Sequence, residues 1–130
     1  MIKKLLILIF VLLIIGVTLI PVISTKMGND AFEHLNAPGA ASKAKDAVKI
    51  KMMIMMFDDA RVIAEKAALF FPESKDTDYF MVSAATCAER ENLPFVAIYW
   101  NNKFIQTFPD HPWTPRVKNN LAKLKELNSK

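Results

Sequence analysis

Phe104-Ile105-Gln106-Thr107-Phe108-Pro109-Asp110-His111-Pro112 is the stretch on which the fold turns. Its centre, Phe108-Pro109-Asp110, has a counterpart in Phe71-Pro72-Glu73, 37 positions earlier. Shifting residues 60–92 by that interval lays them on 97–129 without a gap. Ala60 falls on Ala97, Lys66 on Lys103, Phe71 on Phe108, Pro72 on Pro109, Thr77 on Thr114, Ala85 on Ala122 and Glu89 on Glu126. Each copy reads as helix, Phe-Pro-acid stop, Thr cap, helix. Proline lacks an amide proton and clashes with the preceding turn, so it ends a helix, and a threonine hydroxyl suits a helix start. A fixed period of this size is the signature of stacked helical hairpins.

Working outward, the chain from Ala40 contains no glycine, and its prolines fall only at 72, 94, 109, 112 and 115. The segments between are rich in Ala, Lys, Met, Leu and Glu, which favour helix. Five helices are expected: Ser42–Met55, Asp58–Phe71 with Asp58 as its cap, Asp76 or Thr77 to Asn92, Leu93 to Thr107, and Thr114 to Leu127 with Thr114 as its cap. Ala60, Ala64, Ala67 and Ala68 share one helical face, as do Ala84, Ala85 and Ala88. Small residues let helices approach closely, and Phe70, Phe71, Phe95, Tyr99, Trp100, Phe104 and Phe108 are expected to fill the space between. The fold class is therefore all-α.

The stretch 104–112 closely resembles the second-helix ending of tetratricopeptide repeats, in the form found in bacterial cell-envelope proteins such as the outer-membrane-assembly lipoprotein and the Tol–Pal coordinator. Asp58-Asp59-Ala60, Glu65-Lys66-Ala67 and Phe71-Pro72 resemble the same half-repeat. The resemblance implies two repeats, about 41–75 and 78–111, followed by a capping helix from Thr114. Where the family carries a Trp, a Leu-Gly pair and a Tyr, this chain has Ala44, Ala47-Val48 and Lys51, then Met81, Ala84-Ala85 and Ala88. A lysine at an inward place predicts that the register of the first helix is off by one. The resemblance also implies a concave groove for a partner peptide or helix. It would be lined by Lys45, Lys49 and Met52, then Tyr79, Val82, Thr86 and Arg90, then Arg116, Asn119 and Lys123. That mixture suits an acidic or amphipathic protein segment.

Ahead of the repeats, Lys3 and Lys4 precede an uncharged apolar run from Leu5 to Ile23. As a helix it reaches about 28 Å, close to the roughly 30 Å of a hydrocarbon core. A signal anchor is expected in residues 1–24, a linker in 25–40 with one short turn at 31–35, and the helical domain in 41–130. A cleaved signal peptide, cut after Val22-Ile23-Ser24, is the alternative. The basic start places the N-terminus in the cytoplasm. With the family resemblance, that implies a single pass through a bacterial inner membrane and a periplasmic domain, or a secreted domain after cleavage.

Lys3 and Lys4 carry two of the four net positive charges, so the remainder is too weakly basic to argue for nucleic acid. Cys87, the single cysteine, stands among small residues and is expected to be buried. His34 and His111 have no metal-ligand spacing, and His111 is expected to cap a turn. No catalytic constellation, metal set or cofactor motif is expected, and an enzyme is not. One block breaks the pattern. Met52-Met53-Ile54-Met55-Met56-Phe57 is apolar throughout, and a helix apolar all round is buried on all sides. It is expected to be core, or an interface with a second copy, another subunit or the membrane. Two functions follow: a membrane-tethered scaffold that captures an envelope partner, or an obligate accessory subunit of a membrane complex.

Overall fold

The helix boundaries keep the 37-residue interval more strictly than the sequence does. The computed structural model describes residues 1–129. Among them it contains six helices and no strand: α1 Ile2–Glu33, α2 Ala40–Met53, α3 Phe57–Phe70, α4 Thr77–Arg90, α5 Pro94–Thr107 and α6 Thr114–Asn128. Helix ends at 33, 70 and 107 and helix starts at 40, 77 and 114 are each spaced by the repeat length. Consecutive helices pack as antiparallel hairpins, and the stack is closed by contacts of α2 with α4 and of α1 with α3. The chain is all-α, a long apolar N-terminal helix followed by helical hairpins.

Two kinds of turn alternate, each built from repeated backbone hydrogen bonds. In the longer turn the amides of Ala37, Ser74 and His111 donate to the carbonyls of His34, Phe71 and Phe108. Those of Ala40, Thr77 and Thr114 then donate to Ala37, Ser74 and His111. Asp76, one of the two candidate caps, holds the cap position of α4, while Thr77 and Thr114, read as caps, are first helical residues. Their hydroxyls reach back to donate to the Phe71 and Phe108 carbonyls, each bond tying a helix start to the end of the preceding helix for about 1 kcal/mol. In the shorter turn, Met56 N–H donates to Lys51 O and Leu93 N–H to Ala88 O. The residue before each amide is left-handed, Met55 at φ 62° and Asn92 at φ 59°. Asparagine tolerates that region, whereas for methionine it costs about 1–2 kcal/mol.

Three expectations are corrected. Residues 25–40 are not a linker, because α1 continues to Glu33 and buries Ser24, Gly28 and Ala31. Gly28 permits the approach: a Cβ there would lie 3.3 Å from Ile63 Cδ1 of α3. The first-helix register is not shifted either. Lys51 does point inward and is 1% exposed, with its Nζ donating to Pro21 O (3.2 Å), Thr25 Oγ1 (2.7 Å) and Asp59 Oδ2 (3.3 Å). Asp58 does not cap α3; it lies in its first turn, and Met56 occupies the cap position.

The alanine faces are core as expected, and so are Trp100 and Phe104. Phe70, Phe95 and Tyr99, expected to fill the core, are more than half exposed. Phe80 and Met81 provide bulk instead. A half-buried polar chain links α5, α3 and the end of α4: Trp100 Nε1 donates to Glu65 (2.7 Å), and Arg61 bridges Glu65 and Glu91. Hydrogen bonding to Glu91 is the main reason the Arg61 pKa rises above its ordinary value.

Since residues 21–33 serve as a helix of the stack, a chain beginning at Ala40 should be less stable than one beginning at Val17. The expected difference in melting temperature, followed by circular dichroism, is roughly 10 °C or more, equivalent to about 2 kcal/mol for a domain of this size. Equal melting would show that 21–33 act only as a tether.

Candidate functional site

Between α4 and α6 the stack opens. Those helices meet backbone to backbone only through α5, unlike α2 and α4. The gap forms a cleft of about 450 Å³. Val82, Thr86 and Glu89 of α4 form one wall and Arg116, Val117, Asn119 and Lys123 of α6 the other, with Asn101 of α5 between them. Asn101 is buried, and its Nδ2 donates to Ala97 O (2.9 Å). Glu89 is bridged across the cleft by Asn120 Nδ2 (3.1 Å). Lys123 is exposed and makes no ion pair among the described residues. Arg116 lies over the Trp113 ring, 5.9 Å from its centroid. The cleft thus combines an apolar strip, amide groups, the amide-bridged Glu89 carboxylate and two cations.

Half of the expected groove is gathered here: Val82, Thr86, Arg116, Asn119 and Lys123. The other half is not. Lys45 and Lys49 lie over the Tyr79 ring at 5.2 and 5.8 Å, and Lys45 is paired with Asp76 at 3.1 Å. Met52 packs on the core. These residues lie at the contact of α2 with α4, away from the cleft. Arg90 lies apart from the cleft, over the Phe57 ring at 5.8 Å. Sequence reasoning missed Asn101, Glu89 and Asn120. Asn101 belongs to α5, outside the helices that the family resemblance assigns to the groove.

The methionine block, expected to be core or an interface, is split between half-buried and exposed side chains. It is not one helix buried on all sides but the end of α2, the turn 54–56 and the start of α3. Met52, Ile54, Met56 and Phe57 are half-buried, whereas Met53 is 81% and Met55 72% exposed.

His111 locks a turn. Its Nδ1 accepts from the Trp113 amide (3.0 Å), which leaves the proton on Nε2 to donate to Asp78 (2.8 Å). His34 lies in a different turn. No cluster of three metal-ligating side chains occurs among the described residues.

Cys87 is fully buried, and burial, with the nearby Glu91 carboxylate, pushes its thiol up to about 12. The thiolate is the reactive form. An aromatic disulfide reagent at pH 8 should therefore label Cys87 slower in the folded chain than in denaturant, by at least on the order of a hundredfold. Comparable rates would place the thiol in an open setting. No family model, curated protein or solved structure matches the chain.

Proposed function

We propose that this protein is a membrane-tethered interaction module whose α4–α6 cleft holds an acidic or amphipathic segment of another protein. The observation that carries this reading is the open cleft itself. It sets Arg116 and Lys123 beside the apolar strip of Val82 and Val117, and among the described residues no further helix is seated on it. Unpaired cations around an apolar strip complement a segment with carboxylates on its flanks. The hairpins, their Phe-Pro stops and the closing helix α6 support a tetratricopeptide-like array, an architecture that works by binding.

The tether would be the part of α1 from Leu5 to Ile23, long and apolar enough to cross a bilayer and exposed almost throughout. Lys3 and Lys4 orient it with the N-terminus in the cytoplasm and the hairpins outside, in the periplasm if the cell is a bacterium with an inner membrane. The same reading keeps the anchor uncleaved. A cut after Ser24 would remove Pro21, whose carbonyl accepts from Lys51, Ser24 and Thr25.

A second reading, an accessory subunit of a membrane complex, draws on Val62, Leu69 and Phe70 of α3 and Tyr99 of α5, large apolar side chains left open to solvent. Purified full chain that stays monodisperse in mild detergent supports the module, and aggregation in the absence of companions supports the subunit.

For the cleft, a photoreactive residue at Thr86 of the full chain, irradiated in the cells that make it, should yield a discrete adduct. Arg116→Glu with Lys123→Glu should reduce that adduct by on the order of tenfold or more, since opposed charges across an interface become like charges. An adduct of unchanged yield in the double variant would overturn the assignment.

A further inference from the structure

The two ends of the helical stack differ. One end carries the turns 34–39, 71–76 and 108–113, which expose Glu73 and Asp110; its exposed large apolar side chains are Leu35 in a turn and, less open than those of the other end, Leu69 and Phe70 at the end of α3. The other carries the turns 54–56 and 91–93 and the end of α6. There Met53, Met55, Phe95 and Leu127 are 81, 72, 74 and 73% exposed. The repeat accounts for their meeting at one end, because Met53, Arg90 and Leu127 occupy the same phase of the 37-residue interval. The turn 91–93 lies beside the end of α6, with Leu93, Pro94, Leu124 and Leu127 around one hollow. Arg90 reaches from α4 to Phe57 at the start of α3.

The apolar end is the one from which the exposed part of α1 departs. Gly28 of α1 faces Ala47 of α2, with a Cβ on Gly28 falling 3.8 Å from Ala47 Cβ. Lys51 in turn faces Thr25 and Pro21. The helices run antiparallel with equal rise, so the residues that follow Lys51 come level with Ile20–Val22. Met56 lies beside Pro21 and Val22. The methionine turn is thus abreast of residues that belong to the apolar run. Any bilayer that accepts Leu5–Ile23 would meet Met53 and Met55 at its surface.

We propose that the tips of the hairpins at this end, with Met53 and Met55 foremost and Phe95 and Leu127 beside them, seat in the interfacial layer of the bilayer that α1 enters, so that the domain lies on the membrane rather than hanging from it. Unbranched methionines and an aromatic ring suit the boundary between headgroups and acyl chains. Arg90, over Phe57, holds its charge at the same level, where anionic headgroups lie. The opposite end, with Glu73 and Asp110, faces water. The inference rests on α1 spanning the bilayer, and the test separates the two.

Single cysteines are placed by Met53→Cys, Met55→Cys, Asp110→Cys and Leu12→Cys in the full chain, each carrying a bimane fluorophore. The buried Cys87 remains unlabelled. The chains are reconstituted into vesicles of phosphatidylcholine and phosphatidylglycerol, part of the phosphatidylcholine bearing a nitroxide high on its acyl chain. Quenching at 53 and 55 several-fold above that at 110, with 12 also quenched, is the expected result. Quenching at 12 with none at 53 and 55 leaves the span standing and overturns the docking. Emission at 53 and 55 that is immobile yet unquenched means that protein, a second copy or another chain, covers the tips, which also overturns it. Absence of quenching at 12 removes the span and the docking together.

Discussion

A buried ammonium group holds this molecule in register. Taking Lys51 out of water costs several kcal/mol, and the cost is offset only if its protons find good acceptors. It has three: a carbonyl and a hydroxyl on α1 and a carboxylate on α3. Its own backbone is on α2, so one side chain ties three helices at a single level. The acceptors on α1 depend on Pro21. Its carbonyl also takes the hydroxyls of Ser24 and Thr25, and Thr25 passes the chain of bonds on to Lys51. Proline in mid-helix, ordinarily a source of weakness, here lies where side chains from two helices gather. The result joins the apolar part of α1 to the hairpins through continuous helix and a buried ionic contact.

Much of the hairpin stack was legible because the chemistry that makes its turns leaves marks in sequence. Phe71-Pro72 and Phe108-Pro109 stop helices, Thr77 and Thr114 start them, and the interval between them can be counted. The same turn at 34–40 left almost none. Leu35 stands where the stop has proline, Ala40 has no hydroxyl, and only Pro38 keeps phase with Pro112. Yet its backbone bonds repeat those of the other two turns. Glycine, asparagine and proline at 28–39 read as a linker because local propensity cannot report that Gly28 is small in order to meet Ile63. Tertiary packing overrode propensity there, as it did for Lys51, whose burial makes sense only beside acceptors contributed from 26 and 30 residues away.

The cleft was half legible for a related reason. The family resemblance implied that Val82, Thr86, Arg116, Asn119 and Lys123 of α4 and α6 share one side, and these five line the cleft. Spacing does not say whether neighbouring helices touch. Tyr79 lies beneath Lys45 and Lys49 where α2 meets α4, whereas α4 and α6 do not meet and the polar Thr86 and Asn119 line an open cleft. Large aromatic against small polar is a pairing across helices, visible only once they are stacked. The methionine run was left between core and interface because an apolar run does not show where its turn lies; the turn falls at 54–56 and puts Met53 and Met55 outside.

The number of repeats also finds a physical account. Each hairpin leaves a face uncovered, and arrays of this kind need about three units before their burial outweighs the entropy of ordering them. Two repeats and a closing helix fall short. The shortfall is met by α1, whose last fourteen residues end in phase with α3 and α5 and cover α2 and α3 as a preceding repeat would. One helix therefore has two environments along its length, apolar and open up to Ile23 and packed on protein from Ser24 onward. Its outer part could be exchanged for another apolar sequence without touching the stack. Its inner part could not, because Gly28 and Ala31 are buried like Ala64 or Phe80 and Phe32 packs against the same core. The boundary between those environments lies at Pro21–Thr25, where the Lys51 ammonium is bound.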